Sequence, residues 1–102
     1  MKVLYVRTST LEQKTDRQRV NEKDYDLVIE DKCSGSISFF DREGGKEIKK
    51  LVDEGLIQTL SVWQIDRLGR DLRDIMNTIH YFNQKNITIH DALPGIWRFF
   101  IG

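Results

Sequence analysis

Short apolar runs that are typical of β-strands alternate along this chain with helix-compatible segments. The strand-like runs cover residues 3–6, 27–29, 59–65 and 87–89. Parallel strands need long crossover connections, and helices usually supply them. We therefore predict an α/β fold with three layers, in which a mostly parallel central sheet of four or five strands carries helices on both faces.

Helix signals lie between these runs. The polar stretch after Arg7 is helix-compatible as far as residue 21, and residues 47–54 have helical spacing with Gly55 as a stop. Asp71 is placed to cap a third helix, which Asn83 to Asn86 would end. Residues 31–45 are rich in Ser, Gly and charge, so we expect a long loop there, and loops of that length are often functional.

The size and charge of the chain restrict its function. Its 102 residues suffice for one domain, which we place at 1–102. Sixteen basic and sixteen acidic side chains cancel, so any attraction to nucleic acid must be local. We expect no metal site and no cofactor, because the Cys and His residues lack zinc spacing and no glycine-rich phosphate loop of a nucleotide-binding domain occurs. The single cysteine and the lack of a long apolar run predict a cytoplasmic protein that does not enter membranes.

Arg7 and Ser9 come directly after the first strand, where open α/β sheets bind their ligands. A hydroxyl at this position is exposed and close to the amides of the helix that we predict to follow. Two interpretations of Ser9 are open. It caps that helix, or it is a nucleophile.

The sequence Asp66-Arg67-Leu68-Gly69-Arg70 follows the strand at 59–65 in the same topological position. Its arginines are therefore expected to converge with Arg7. Planar guanidinium groups match the oxygens of a phosphodiester, on which charge grows during attack, and can replace magnesium in that role. The alternative is a surface ion pair between Asp66 and Arg70, which would contribute little to stability.

Several motifs together resemble those of the serine site-specific recombinases, the resolvase/invertase family. Residues 5–10 read Tyr-Val-Arg-Thr-Ser-Thr, close to the family's nucleophile motif Y-x-R-V-S-T, and Gln13 and Gln18 follow. Residues 66–70 are similar to its D-R-L-G-R motif, and residues 31–35 resemble its D-x-x-S-G segment. Arg42 after Asp41 matches a further active-site arginine. The resemblance covers roughly residues 1–95 and implies the N-terminal catalytic domain.

The resemblance also implies a reaction and its residues. Ser9 would attack a backbone phosphate of a double-stranded DNA recombination site, form a 5′-phosphoserine link and release a 3′ hydroxyl, so that strands are rejoined without hydrolysis. Asp66 would position arginines or protonate the leaving oxygen. The remaining residues would hold the phosphate or support the site: Arg7, Arg42, Arg67, Arg70, Gln13 and Gln18. The intact protein would work as a homodimer and a synaptic tetramer, without a cofactor or a metal.

The end of the chain departs from the family pattern. Family members continue into a dimerisation helix and a DNA-binding domain, which we expect to be absent here, and residues 96–102 form an atypical apolar tail. A second hypothesis follows, in which the chain is a truncated, catalytically incompetent fragment that serves as an interaction or oligomerisation module. Both hypotheses predict the same fold.

Overall fold

The computed structural model describes residues 1–9, 22–62, 65–91 and 99–100. The strands of this part are β1 (Lys2–Thr8), β2 (Leu27–Lys32), β3 (Thr59–Val62), β4 (Thr88–Asp91) and β5 (Phe99–Phe100). Its α-helices are α1 (Glu43–Asp53) and α2 (Leu72–Gln84). Short 3-10 helices lie at Glu22–Asp24, Phe39–Asp41 and Ile65–Leu68.

The strands form one sheet in the order β2-β1-β3-β4-β5. β1 pairs in parallel with β2 and β3, and β3 pairs in parallel with β4, whereas β5 is antiparallel. The predicted α/β fold with a mostly parallel sheet is confirmed. The chain leaves β1 toward one edge of the sheet and then returns to build the other edge from β3 onward. Ligands of such sheets bind where the order reverses, so the crevice lies beyond the carboxyl ends of β1 and β3.

The core follows from the two-residue period of the strands. Val3, Tyr5, Leu60 and Val62 point to one face, where they join a cluster of buried side chains that includes Ile48 and Val52 of α1 and Ile79 and Phe82 of α2. Both helices therefore cover the same face. Leu4 and Val6 of the opposite face are buried as well. The helix predicted to end at residue 21 lies outside the described residues.

The structure corrects the start of α1, which the sequence placed at residue 47 after a loop over 31–45. The helix begins at Glu43, and the 3-10 helix Phe39–Asp41 precedes it. Gly44 and Gly45 weaken the local helix signal, yet a Cβ atom at Gly45 would overlap the carbonyl oxygen of Phe39. Gly45 therefore permits a close approach of α1 to the carbonyl oxygen of Phe39, which helix propensities do not predict. The predicted stop is confirmed, because Gly55 adopts a φ of 74°.

The end of β3 differs from its prediction, whereas the start of α2 agrees with its prediction. The third strand ends at Val62, and Ile65 already belongs to a 3-10 helix, so the strand prediction over 59–65 was too long. Asp71 caps α2 as predicted, since its Oδ1 accepts a hydrogen bond from the amide of Asp74 at 2.8 Å.

Phe99–Phe100 of the predicted apolar tail pairs with β4 as an edge strand, and the rest of residues 96–102 lies outside the described part. None of the described helices is long and apolar enough to span a membrane.

Thr8 occupies the position at which the family motif has Val. Its side chain is 1% exposed, and its Oγ1 has no hydrogen-bond partner among the described residues. A buried hydroxyl without a partner costs roughly 1–3 kcal/mol, and Val has nearly the same shape. We expect Thr8→Val to raise the free energy of unfolding by about 1 kcal/mol in urea titrations.

Thr78→Val is the matched control. The Thr78 hydroxyl is buried too but donates to the carbonyl oxygen of Asp74 at 2.9 Å. Its removal should lower the free energy of unfolding by about 1 kcal/mol. A Thr8→Val protein that is less stable than the parent would contradict the prediction.

Candidate active site

The structure places four of the predicted site residues at two neighbouring strand ends. Arg7 lies in β1 and Ser9 directly follows it, and both side chains are half-buried. Asp66 and Arg67 lie in the 3-10 helix after β3, with Asp66 exposed and Arg67 half-buried. The predicted residues Gln13 and Gln18 lie outside the described part of the chain.

Arg7 is anchored to the segment that follows β2. Its Nη1 donates to the carbonyl oxygen of Cys33 at 2.9 Å. The parallel register places Arg7 beside Asp31, so both side chains point to the same face of the sheet. The sequence did not show this anchor, because it joins residues that are 26 positions apart.

Arg42 is held more firmly than any sequence pattern indicated. Its side chain is only 2% exposed. Its Nε donates to the carbonyl oxygen of Ile37 at 2.9 Å, and its Nη1 donates to the Tyr5 hydroxyl at 3.1 Å and to the carbonyl oxygen of Arg67 at 2.6 Å. Arg42 therefore joins the segment before α1 to the one after β3. The structure brings two predicted arginines, Arg42 and Arg67, into direct contact.

A buried carboxylate balances this guanidinium through a tyrosine. The Tyr5 hydroxyl donates to Asp31 Oδ2 at 2.7 Å, and the amide of Gly44 donates to Asp31 Oδ1 at 2.7 Å. Asp31 thereby lies at the amino end of α1, where the helix dipole favours a negative charge. Burial raises the pKa of Tyr5 far above its usual value, so its hydroxyl stays protonated and can donate.

Sequence reasoning did not single out Tyr5 and Asp31 as site residues. Each belongs to a motif that carried the family resemblance, the first position of Y-x-R-V-S-T and of D-x-x-S-G. That membership was the available signal. Their shared role became visible only when the structure joined both to Arg42.

Two guanidinium nitrogens in this site have no acceptor in the part of the chain that the structure describes. Arg42 Nη2 and Arg67 Nε are buried and without a hydrogen-bond partner among the described residues. An unsatisfied buried donor is costly, and more so when it carries charge. Such a pair of donors is chemically suited to an anion with several oxygens.

Arg70 is exposed and lies at the edge of this cluster. The alternative interpretation of the sequence paired Arg70 with Asp66. In the structure the Arg70 Nε lies 3.9 Å from an oxygen of Asp71, and both side chains are more than half exposed. Contacts of that kind contribute little to stability, which leaves the guanidinium of Arg70 available to a ligand.

Residues 2–95 match the family model described as the N-terminal domain of resolvase. The chain belongs to the resolvase/invertase family of serine recombinases. It is 34% identical over 94 residues to the DNA-invertase hin of Salmonella typhimurium, an alignment that covers 90% of this chain and 47% of that protein. It is also 34% identical over 98 residues to the serine recombinase gin of Escherichia phage Mu, covering 94% of this chain and 49% of that protein.

Solved structures of other proteins share the fold. A serine recombinase from Sulfolobus solfataricus matches with a TM-score of 0.70 and 25% identity, covering 92% of this chain and 71% of that one. The N-terminal catalytic domain of TP901-1 integrase matches with a TM-score of 0.71 and 20% identity, covering 88% of this chain and 75% of that one. The chain spans about half the length of the curated relatives it matches.

The bridge from Asp31 to Arg42 can be tested by Tyr5→Phe. The ring contact with Phe39, at 4.9 Å between centroids, would remain while the hydroxyl is lost. The change strips one hydrogen bond from the carboxylate of Asp31 and one from the guanidinium of Arg42. We expect the free energy of unfolding to fall by about 1–3 kcal/mol, measured by urea denaturation.

Tyr81→Phe is the control for this substitution. The Tyr81 hydroxyl donates to Asp53 at 2.8 Å on the protein surface, where water can replace it. We expect less than about 1 kcal/mol of destabilisation there. Equal losses of unfolding free energy in the two variants would show that the buried hydrogen bonds of Tyr5 contribute no more than a surface hydrogen bond.

Proposed function

We propose that this protein cleaves and rejoins double-stranded DNA in site-specific recombination, with Ser9 as the nucleophile. The observation that carries the proposal is a pair of buried guanidinium donors, Arg42 Nη2 and Arg67 Nε, that find no acceptor among the described residues. They belong to segments beside β1, the strand that Ser9 follows. A phosphodiester supplies the oxygens that these donors lack. The names of the related proteins, a DNA-invertase and serine recombinases, support DNA as the substrate.

The proposed step is a transfer of the phosphoryl group. The bond between Ser9 Oγ and phosphorus forms while the bond from phosphorus to the 3′ oxygen breaks. Ser9 gives up its proton, the 3′ oxygen takes one up, and the reverse step rejoins the strand. Because the phosphodiester energy is kept in the phosphoserine link, no energy source is needed for religation.

We assign the site residues to this step by their charge and position. Four arginines bind the phosphate oxygens and stabilise the transition state, because charge grows on the oxygens as Ser9 attacks. Of the four, the exposed Arg70 contacts the incoming phosphate first. The side chain of the half-buried Arg67 then rotates so that its buried Nε reaches the phosphate. The full set is Arg7, Arg42, Arg67 and Arg70, with Asp66 as acid or organiser and Gln13 and Gln18 as supporting residues.

The proposal also covers assembly and location. Residues 1–102 are taken as one catalytic domain that acts in a homodimer and a synaptic tetramer of the intact protein. Exposed apolar side chains one turn apart on α2, Leu72 at 74% and Met76 at 57%, support a protein contact close to Arg70. The lone cysteine, Cys33, fits a reducing cytoplasm.

The decisive experiment replaces the first half of a related invertase with this chain. Residues 1–95 are joined to the remaining half of the phage P1 DNA-invertase, a relative that is 34% identical over 98 residues, and the chimera is mixed with that enzyme's DNA carrying a nick next to the cleavage point. We expect a covalent protein–DNA adduct on a denaturing gel. Ser9→Ala should abolish the adduct, because the oxygen that attacks the phosphate is removed.

Ser36→Ala is the matched control, since Ser36 is an exposed hydroxyl in the segment after β2. It should form the adduct at the parental rate. A folded chimera that binds the DNA but forms no adduct would contradict the proposal and favour the interaction module. An adduct that persists in Ser9→Ala would assign the nucleophile elsewhere.

A further inference from the structure

The segment 67–70 is tied to the segment 38–42 at two places. The first is the hydrogen bond from Arg42 to the carbonyl oxygen of Arg67, at 2.6 Å. The second is the carboxylate of Asp74 in the first turn of α2. Its Oδ1 accepts from the Ser38 hydroxyl at 2.7 Å, and its Oδ2 accepts from the amides of Arg70 at 3.0 Å and Phe39 at 3.3 Å.

These contacts of Asp74 are not those of a helix cap. The capping contact at the start of α2 is made by Asp71, whose carboxylate accepts a hydrogen bond from the amide of Asp74. The carboxylate of Asp74 instead accepts from residues outside the helix, on two different segments. A side chain that only stabilised α2 would not need these acceptor contacts.

Packing around the carboxylate leaves little freedom. A Cβ atom at Gly69 would lie 2.8 Å from Asp74 Oδ2 and 2.7 Å from the amide nitrogen of Ile75. The arginine segment therefore lies directly against the first turn of α2, and only glycine permits this approach. Partial burial would raise the pKa of Asp74, but the hydrogen bonds from Ser38, Arg70 and Phe39 outweigh it and hold that pKa below its usual value. The carboxylate is thus ionised at neutral pH and accepts through both oxygens.

We propose that Asp74 is a positioning residue, which fixes the backbone of Arg70 and thereby aligns the arginines of segment 67–70 with Arg42. The inference rests on the function proposed above. Asp74 does not touch the phosphate in this scheme and acts through Arg70. Because Arg70 is an exposed side chain on a short loop, an unanchored backbone would let its guanidinium leave the phosphate.

The first test compares Asp74→Ala with Asp74→Asn in the invertase chimera. Single-turnover formation of the adduct is followed at a protein concentration that saturates the DNA, so the rate reports on the step and not on binding. We expect Asp74→Ala to slow the reaction at least tenfold with an unchanged DNA affinity. Asp74→Asn should recover most of the rate, because the amide oxygen can accept from Arg70 and Phe39 while the Ser38 hydroxyl turns to accept from the amide.

A double-substitution cycle separates positioning from general stability. If Asp74 acts through Arg70, Asp74→Ala should slow the reaction less than about twofold once Arg70→Ala is present. Thr78→Val removes another hydrogen bond from α2 without touching segment 67–70, and its rate should stay within about twofold of the parent. Equal effects of Asp74→Ala with and without Arg70 would overturn the inference.

The second test needs no catalysis. In the chain itself, amide hydrogen exchange at Arg70 and Phe39 should be slow, and Asp74→Ala should speed it at least tenfold at these two sites while β1 and β3 stay protected. Unchanged protection at Arg70 would overturn the inference even if the chimera is active. A chimera that needs Ser9 and Arg70 but not Asp74 would refute this inference alone, whereas the absence of any adduct would refute the proposed function.

Discussion

The guanidinium of Arg42 is the buried charge on which the site is built. Taking a guanidinium out of water is costly unless its donors find acceptors, and here Tyr5 and the backbone of Ile37 and Arg67 accept from its Nε and Nη1. The carboxylate of Asp31 accepts a hydrogen bond from the Tyr5 hydroxyl and so offsets the charge through Tyr5. It also accepts a hydrogen bond from the amide of Gly44 in the first turn of α1. One network therefore links β1, β2, the start of α1 and the segment after β3. Arg42 Nη2 and Arg67 Nε find no acceptor among the described residues, and such donors are suited to an anion.

The sheet order explains why this network lies at a ligand site. β1 and β3 are neighbours in space although β2 and α1 come between them in the chain. The residues after both strands therefore meet at the edge where the order reverses. Asp74 closes the arrangement from the side of α2, so that the arginine segment is held at each of its ends.

Much of the fold could be predicted because its signals are local. Strand runs, the Asp71 cap and the Gly55 stop depend on residues within a few positions of each other, and all three were recognised. The start of α1 was not, because Gly44 and Gly45 weaken helix propensity and are required only by contacts with Asp31 and Phe39. The motifs predicted candidate site residues, but not that Arg42 donates a hydrogen bond to the backbone of Arg67 or that Asp74 accepts hydrogen bonds from Ser38, Phe39 and Arg70. The contacts of Arg42 with Arg67 and of Asp74 with Ser38 join positions 25 and 36 residues apart, where sequence spacing carries no information.

The most direct test of this account is nitrogen-15 NMR of the arginine side chains in the DNA-bound invertase chimera. We predict that the Nε–H signal of Arg67, which is buried and has no acceptor within the described part of the chain, shifts strongly when the nicked DNA binds, because a phosphate oxygen becomes its acceptor. The signals of Arg73, an exposed arginine of α2, should not move. An unchanged Arg67 signal in a complex that goes on to form the Ser9 adduct would contradict the account, because the unsatisfied donors would then have no part in holding the phosphate.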